Sequence, residues 1–149
     1  MQLKDTLKLH GALTLMLTKA DGTVEVTQKD NIIVDVGFDF IADAIGKPST
    51  RPAVMGYTAI GTGTTAAASG QTALVTEIDR NAAVYAHTAG TKVFTLTSSF
   101  PAGDGTGALT EAGIFNAASV GTMFDRVVFP VVNKGADDSL TTVFTFTLS

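Results

Sequence analysis

Residues 143–148, Val-Phe-Thr-Phe-Thr-Leu, alternate without a break: Phe144, Phe146 and Leu148 fall on one side, Val143, Thr145 and Thr147 on the other. Period two, built from β-branched and aromatic residues, marks a pleated strand with one face buried. The same alternation opens the chain. Leu7, Leu9, Leu13, Leu15 and Leu17 share a phase with Gly11, while Lys8, His10, Thr14 and Met16 fall out of phase. Asp21-Gly22 then joins this run to a return strand holding Val24 and Val26, and an Asp-Gly pair between alternating segments is a strong hairpin signal.

Between these ends the pattern repeats with one interruption. Residues 31–36 form a third apolar run. Over 38–45 the period changes: Phe38, Ile41, Ala42 and Ile45 stand at helical spacing with Asp39 and Asp43 opposite, which predicts one short helix. Pro48 and Pro52 break the segment that follows. Residues 56–60 read as a strand entering a small-residue loop, 61–70, expected to be flexible. Residues 71–78 read as a single helical turn or an extended segment, and 81–87 as a strand. In 92–100, Phe94, Leu96 and Phe100 oppose Val93, Thr95 and Thr97, and Pro101 ends the run. Residues 108–115 and 122–132 are two more strands, and 134–138 is the turn before the last. About eight or nine strands with turn signals every 8–12 residues or so give an all-β chain: an antiparallel β-sandwich or barrel with one short helix. Residues 1–149 are expected to form a single β domain, with an amino-terminal hairpin and helix (1–46) leading into the main sandwich (56–149).

Composition narrows the function. The chain has 149 residues, enough to bury roughly two-thirds of its unfolded surface without a covalent staple. It has no cysteine, which removes disulfides, thiolate metal sites and cysteine nucleophiles. A net charge of −4, with the basic residues scattered from Lys4 to Lys134, argues against direct binding of nucleic acid. The amino terminus is broken by charges and Gly11 and never reaches the ~18 apolar residues of a membrane span, so a soluble protein without signal peptide or membrane partner is expected. Charged residues make up 16% of the chain against 45% hydrophobic, which points to apolar surface covered by partners or by further copies. The leucine-rich arm 1–19 and the small-residue loops are the expected contact surfaces, ordered mainly by their neighbours.

No catalytic set can be assembled. Gly61-Thr62-Gly63-Thr64-Thr65 lacks the Lys-Ser or Lys-Thr and the helix of a phosphate-binding loop. Glu77, Asp79 and Glu111 are the acids closest to apolar strand sequence. Glu111, between Leu109 and Ile114, reads as a member of an ion pair with Arg80 or Arg126, as a solvated side chain, or as an acid–base catalyst, with the ion pair preferred. His10 and His87 stand alone among small and apolar residues and read as solvent-facing. Asp104, in Gly-Asp-Gly-Thr-Gly, lacks the spaced acids of a calcium loop. Ser69, Ser98 and Ser99 have no histidine nearby in sequence. The expected inventory is therefore no catalytic residue, no cofactor-binding residue and no metal ligand. A carbohydrate-binding or hydrolytic β domain is disfavoured by the absence of Trp and by only two tyrosines, Tyr57 and Tyr85.

Several of these segments come in a distinctive order: AIGTGTTAAASGQTALVTEIDR (59–80), FPAGDGTGALTEAGIF (100–115), a further strand, and the turn 134–140. In that order they resemble small virion structural proteins of tailed bacteriophages, over residues 57–149. The resemblance is both to capsid-decorating (cement) proteins and to the amino-terminal domain of tail-collar fibres. It implies a non-enzymatic protein of the virion, made in the host cytoplasm, with the major capsid protein as partner and copies of itself as neighbours. A fibre continues into a shaft and a tip, whereas this chain stops at Ser149, so decoration of the head is the expected role and a tail or collar adaptor the alternative.

Overall fold

The structure, a computed structural model, describes residues 5–149; the first four residues of the expected contact arm lie outside the described residues. Among the described residues, ten strands and one helix follow in chain order: β1 (Leu9–Thr18), β2 (Val24–Asp30), β3 (Ile32–Ile33), α1 (Asp35–Gly46), β4 (Tyr57–Gly61), β5 (Glu77–Ala82), β6 (Val84–His87), β7 (Val93–Phe100), β8 (Gly107–Phe115), β9 (Met123–Lys134) and β10 (Ser139–Leu148). They form two antiparallel five-stranded sheets, ordered β2-β1-β10-β7-β6 and β3-β9-β8-β4-β5. Both sheets are open, so the molecule is a sandwich and not a barrel.

The register explains the alternation. Phe144 of β10 lies between Leu13 of β1 and Leu96 of β7, and Phe146 between Gly11 and Phe94. Leu13, Leu15, Leu17, Leu96, Phe144 and Phe146 are buried against Ile60, Ile114, Val127 and Phe129 of the second sheet, while Phe94 is half-buried. The leucine-rich strand is thus an inner strand of the sandwich. Its order comes from the core rather than from neighbouring molecules, and the hairpin is part of the sheet rather than a lead-in to it.

Two boundaries depart from expectation. The 31–36 run is a strand only at Ile32–Ile33, because the chain must leave one sheet for the other and begin α1 at Asp35. Residues 81–87 are not one strand. β5 starts at Glu77 in the second sheet, and after Ala83, whose N–H donates to the Gly56 carbonyl, the chain continues as β6 in the first. Of the two readings of 71–78 the extended one fits: no helical turn forms over 71–76, and β5 begins at Glu77.

The helix is present, but another of its faces is buried. Gly37 packs so closely on β9 that a Cβ there would strike the Phe124 carbonyl, and Phe40 and Ile41 reach the core. Phe38 and Ile45 remain exposed, so helical spacing alone misplaces the contact face by about one residue.

Candidate interaction surface

Glu111 and Arg126 come together. Glu111 stands on β8 opposite Gly61 of β4, Arg126 on β9 opposite Gly113 of β8, and residues 62–76 lie over both. Arg126 donates from Nε and Nη2 to Glu111 Oε2 at 3.0 and 2.8 Å, with both side chains fully buried. The remaining bonds hold the overlying loop: Arg126 Nη1 donates to the Thr65 carbonyl and to Gln71 Oε1, while the N–H groups of Gly63, Val75 and Thr76 donate to the Glu111 carboxylate. Glycine is needed here because a Cβ at Gly63 would sit 2.5 Å from Glu111 Oε1. Burial alone would raise the Glu111 carboxyl, but the bonds from Thr76, Val75, Arg126 and Gly63 outweigh it and hold the group below its ordinary range.

Both carboxylate oxygens are therefore saturated by fixed donors and shielded from solvent. This arrangement clamps a loop; it offers no proton to a substrate. The loop expected to be flexible is tied down along its length, and it covers a second small core of Val34, Ala59, Leu74, Phe115 and Met123. The glycines of 61–63, the acid of 108–115 and the arginine of 122–132 thus share one structural role.

The other candidates separate. Arg80 binds the Glu77 carboxylate and the carbonyls of Ala117 and Val120, and stacks 3.8 Å over the Phe115 ring, so it fastens the 116–121 turn. Asp79 caps the Arg80 N–H. His10 lies 3.3 Å from Asp30 on the surface, and His87 bonds the Val93 carbonyl. Asp104 accepts from Asn81. Ser98 donates to Thr58 inside the core, and the Ser69 and Ser99 carbonyls accept from Asp35 N–H and from Asn81. Among the described residues, no three His, Cys, Asp or Glu side chains gather in a group that could hold a metal, and no helix is long and apolar enough to cross a membrane.

Sequence reading missed Asp125. It is fully buried, accepts bonds from the Ile114 N–H and from Asn31 Nδ2, and burial pushes its carboxyl up to about 7. Asn31 Oδ1 is also buried and has no donor. The sequence singles out Arg126 as a partner for Glu111, whereas nothing in it singles out the neighbouring Asp125. The two sit in regular register opposite Ile114 and Gly113 and so take opposite faces of the sheet: Asp125 shares the face of Val127 toward the other sheet, and Arg126 lies beneath the 62–76 loop.

The two ends of the sandwich differ. At one, buried Lys134 donates to the Pro101 and Asp138 carbonyls, and Asp138 receives the N–H groups of Gly135 and Ala20, so the loops are laced shut. At the other, where β1 begins and β10 ends, the sheets part around an apolar groove of about 550 Å³. Its floor belongs to an aromatic series that crosses the sandwich: Phe40 meets Phe124 at 6.1 Å, Phe124 meets Phe146 at 5.2 Å, Phe146 meets Phe94 at 5.0 Å, and Phe94 meets Tyr85 at 6.0 Å. Leu7, Ile45, Val54 and Tyr85 stand at its rim, 71%, 75%, 80% and 62% exposed. Among the described residues, no charged side chain lines it. Single exposed apolar residues are ordinary on protein surfaces, but several around one apolar concavity mark an interaction site.

The comparisons with known proteins add no constraint: no family model matches the chain, and neither a curated protein nor a solved structure does.

Proposed function

We propose that this protein is a non-enzymatic structural component of a tailed-phage virion, a decoration or cement protein that stabilises the head by seating apolar surface on the major capsid protein. The observation that carries the binding role is the open groove with its rim of Leu7, Ile45, Val54 and Tyr85, set on a sandwich whose buried Glu111–Arg126 pair holds a loop. The virion assignment rests on the ordered resemblance of residues 57–149 and on fold-independent analogy, since a sandwich by itself hosts many functions. Low charge content fits a protein that works in many copies beside itself and its partner.

Fractionated particles test this reading. A decoration protein is recovered with heads in hundreds of copies, and heads lacking it release DNA at a lower temperature. Recovery with tails at about a dozen copies, with unchanged release, would instead establish the collar-adaptor role.

A further inference from the structure

β2 closes one side of its sheet and, among the described residues, leaves an edge with no strand beyond it. Its seven residues contain no proline and pair with β1 without a bulge, and all but Thr27 are exposed. Such an edge is a template for another strand unless something blunts it.

The direction of its free groups follows from the register. Glu25, Thr27 and Lys29 lie opposite Leu17, Leu15 and Leu13. The bonds from Asn31 N–H to Gly11 and from Lys19 N–H to Thr23, at the two ends of the ladder, place those alternate residues among the bonded pairs. The N–H and C=O groups of Val24, Val26, Gln28 and Asp30 therefore turn outward.

We propose that β2 is a homodimer seam, in which β2 of a second copy pairs antiparallel with it about a twofold axis at Thr27 and joins the two sheets into one. This register uses all seven residues and every outward group: Val26 bonds the partner's Gln28, and Val24 bonds the partner's Asp30. It also sets Glu25 across from the partner's Lys29, and Lys29 across from the partner's Glu25, at the non-bonded positions where side chains approach closest and opposite charges attract. An axis at residue 25 or 29 would face like charges, and one at 26 or 28 shortens the overlap and loses both charge pairs. The charges that would repel a strand of uniform sign thus complement a copy of themselves.

The inference deepens the oligomer part of the reading above and rests on that part alone. Sedimentation of the purified protein should show a dimer. E25K and K29E should each weaken association at least about tenfold, because each creates two like-charge pairs, and the double variant E25K/K29E should regain it. The chain lacks cysteine, so Thr27→Cys should form an intermolecular disulfide on mild oxidation while Val26→Cys, not opposite itself, does not. Val26→Pro removes only an outward N–H and should give a folded monomer by circular dichroism. A monomer at every concentration, or a dimer indifferent to both charge reversals and crosslinked more readily at 26 than at 27, overturns the seam. A dimer absent from particles sinks the virion reading and leaves this one, and a monomer recovered on heads does the reverse.

Discussion

Asp125 and Glu111 are carboxylates sealed from solvent on adjacent strands, yet their protons behave oppositely because only Glu111 has a cation and three backbone N–H donors. Glu111, held below its ordinary range, contributes stability above the unfolded carboxyl pKa and loses it as pH falls through the folded value. Asp125 runs the other way. With its folded pKa raised to about 7 from 3.8, the native state keeps a proton that the unfolded chain releases, so its contribution is full below 3.8 and is lost as pH rises through 7. Stability should therefore peak in mild acid and decline toward pH 8. Asp125→Asn should flatten that decline and raise the melting temperature at pH 8, since an amide cannot ionise, and its NH₂ finds an acceptor once the Asn31 amide turns to present Oδ1, which has no donor in the parent, in place of Nδ2. An unchanged slope between pH 5 and pH 8, measured by thermal melts, would show that Asp125 titrates normally. Glu111→Gln should destabilise by about 3–5 kcal/mol, because it leaves Arg126 buried without a counter-charge and sets an amide NH₂ among donors; urea titration at pH 7 measures this. Arg126 as a partner of Glu111 was legible in the sequence, with Arg80 as the rival. Asp125 was not, because its buried partners, the Ile114 N–H and the Asn31 amide, are brought to it only by the fold.

At the level of elements, the segment from 61 to 76 shows how composition misleads. Gly, Thr and Ala usually signal mobility, since they offer little to bury, yet here small residues are required so that the backbone can reach the buried carboxylate. Gly63→Ala should consequently lower stability by more than the few tenths of a kcal/mol seen at a typical surface site. It should also speed amide exchange at Val75 and Thr76, which share the displaced acceptor; protection equal to the parent at both amides would show that the loop is not anchored through Glu111. The strands that cross the sandwich centre were legible, because Leu13, Leu96, Phe144 and Phe146 alternate in phase with their pairing. The sheet-switching corners were not. Residues 30–35 and 82–84 carry the chain between sheets, and a continuous apolar run looks the same whether it stays in one sheet or changes at Ala83. The contact face of α1 was missed because a close glycine approach at Gly37, not the apolar stripe, sets how the helix is rotated on β9.

For the whole molecule, the laced end and the grooved end have different consequences. Lys134 and Asp138 fix the loops at one end through buried bonds to Pro101, Gly135 and Ala20, so changes there act on folding. Ile45 and Val54 stand on the opposite rim, mostly in solvent, where a substitution removes almost no contact from the isolated fold. The double variant Ile45→Asp/Val54→Asp should melt at the parent temperature to within the small shift of a surface change. On a partner surface the same two carboxylates would be desolvated without a cation, a severe penalty for seating. Particles assembled with this variant should therefore bind far less of it than of the parent, and in the head-decoration reading they should release DNA at the temperature of particles that lack the protein. Equal occupancy of parent and variant would exclude the groove as the seat. Loss of occupancy together with a lowered melting temperature would mean that the rim supports the fold, and only loss of occupancy with an unchanged melt assigns attachment to this end of the sandwich.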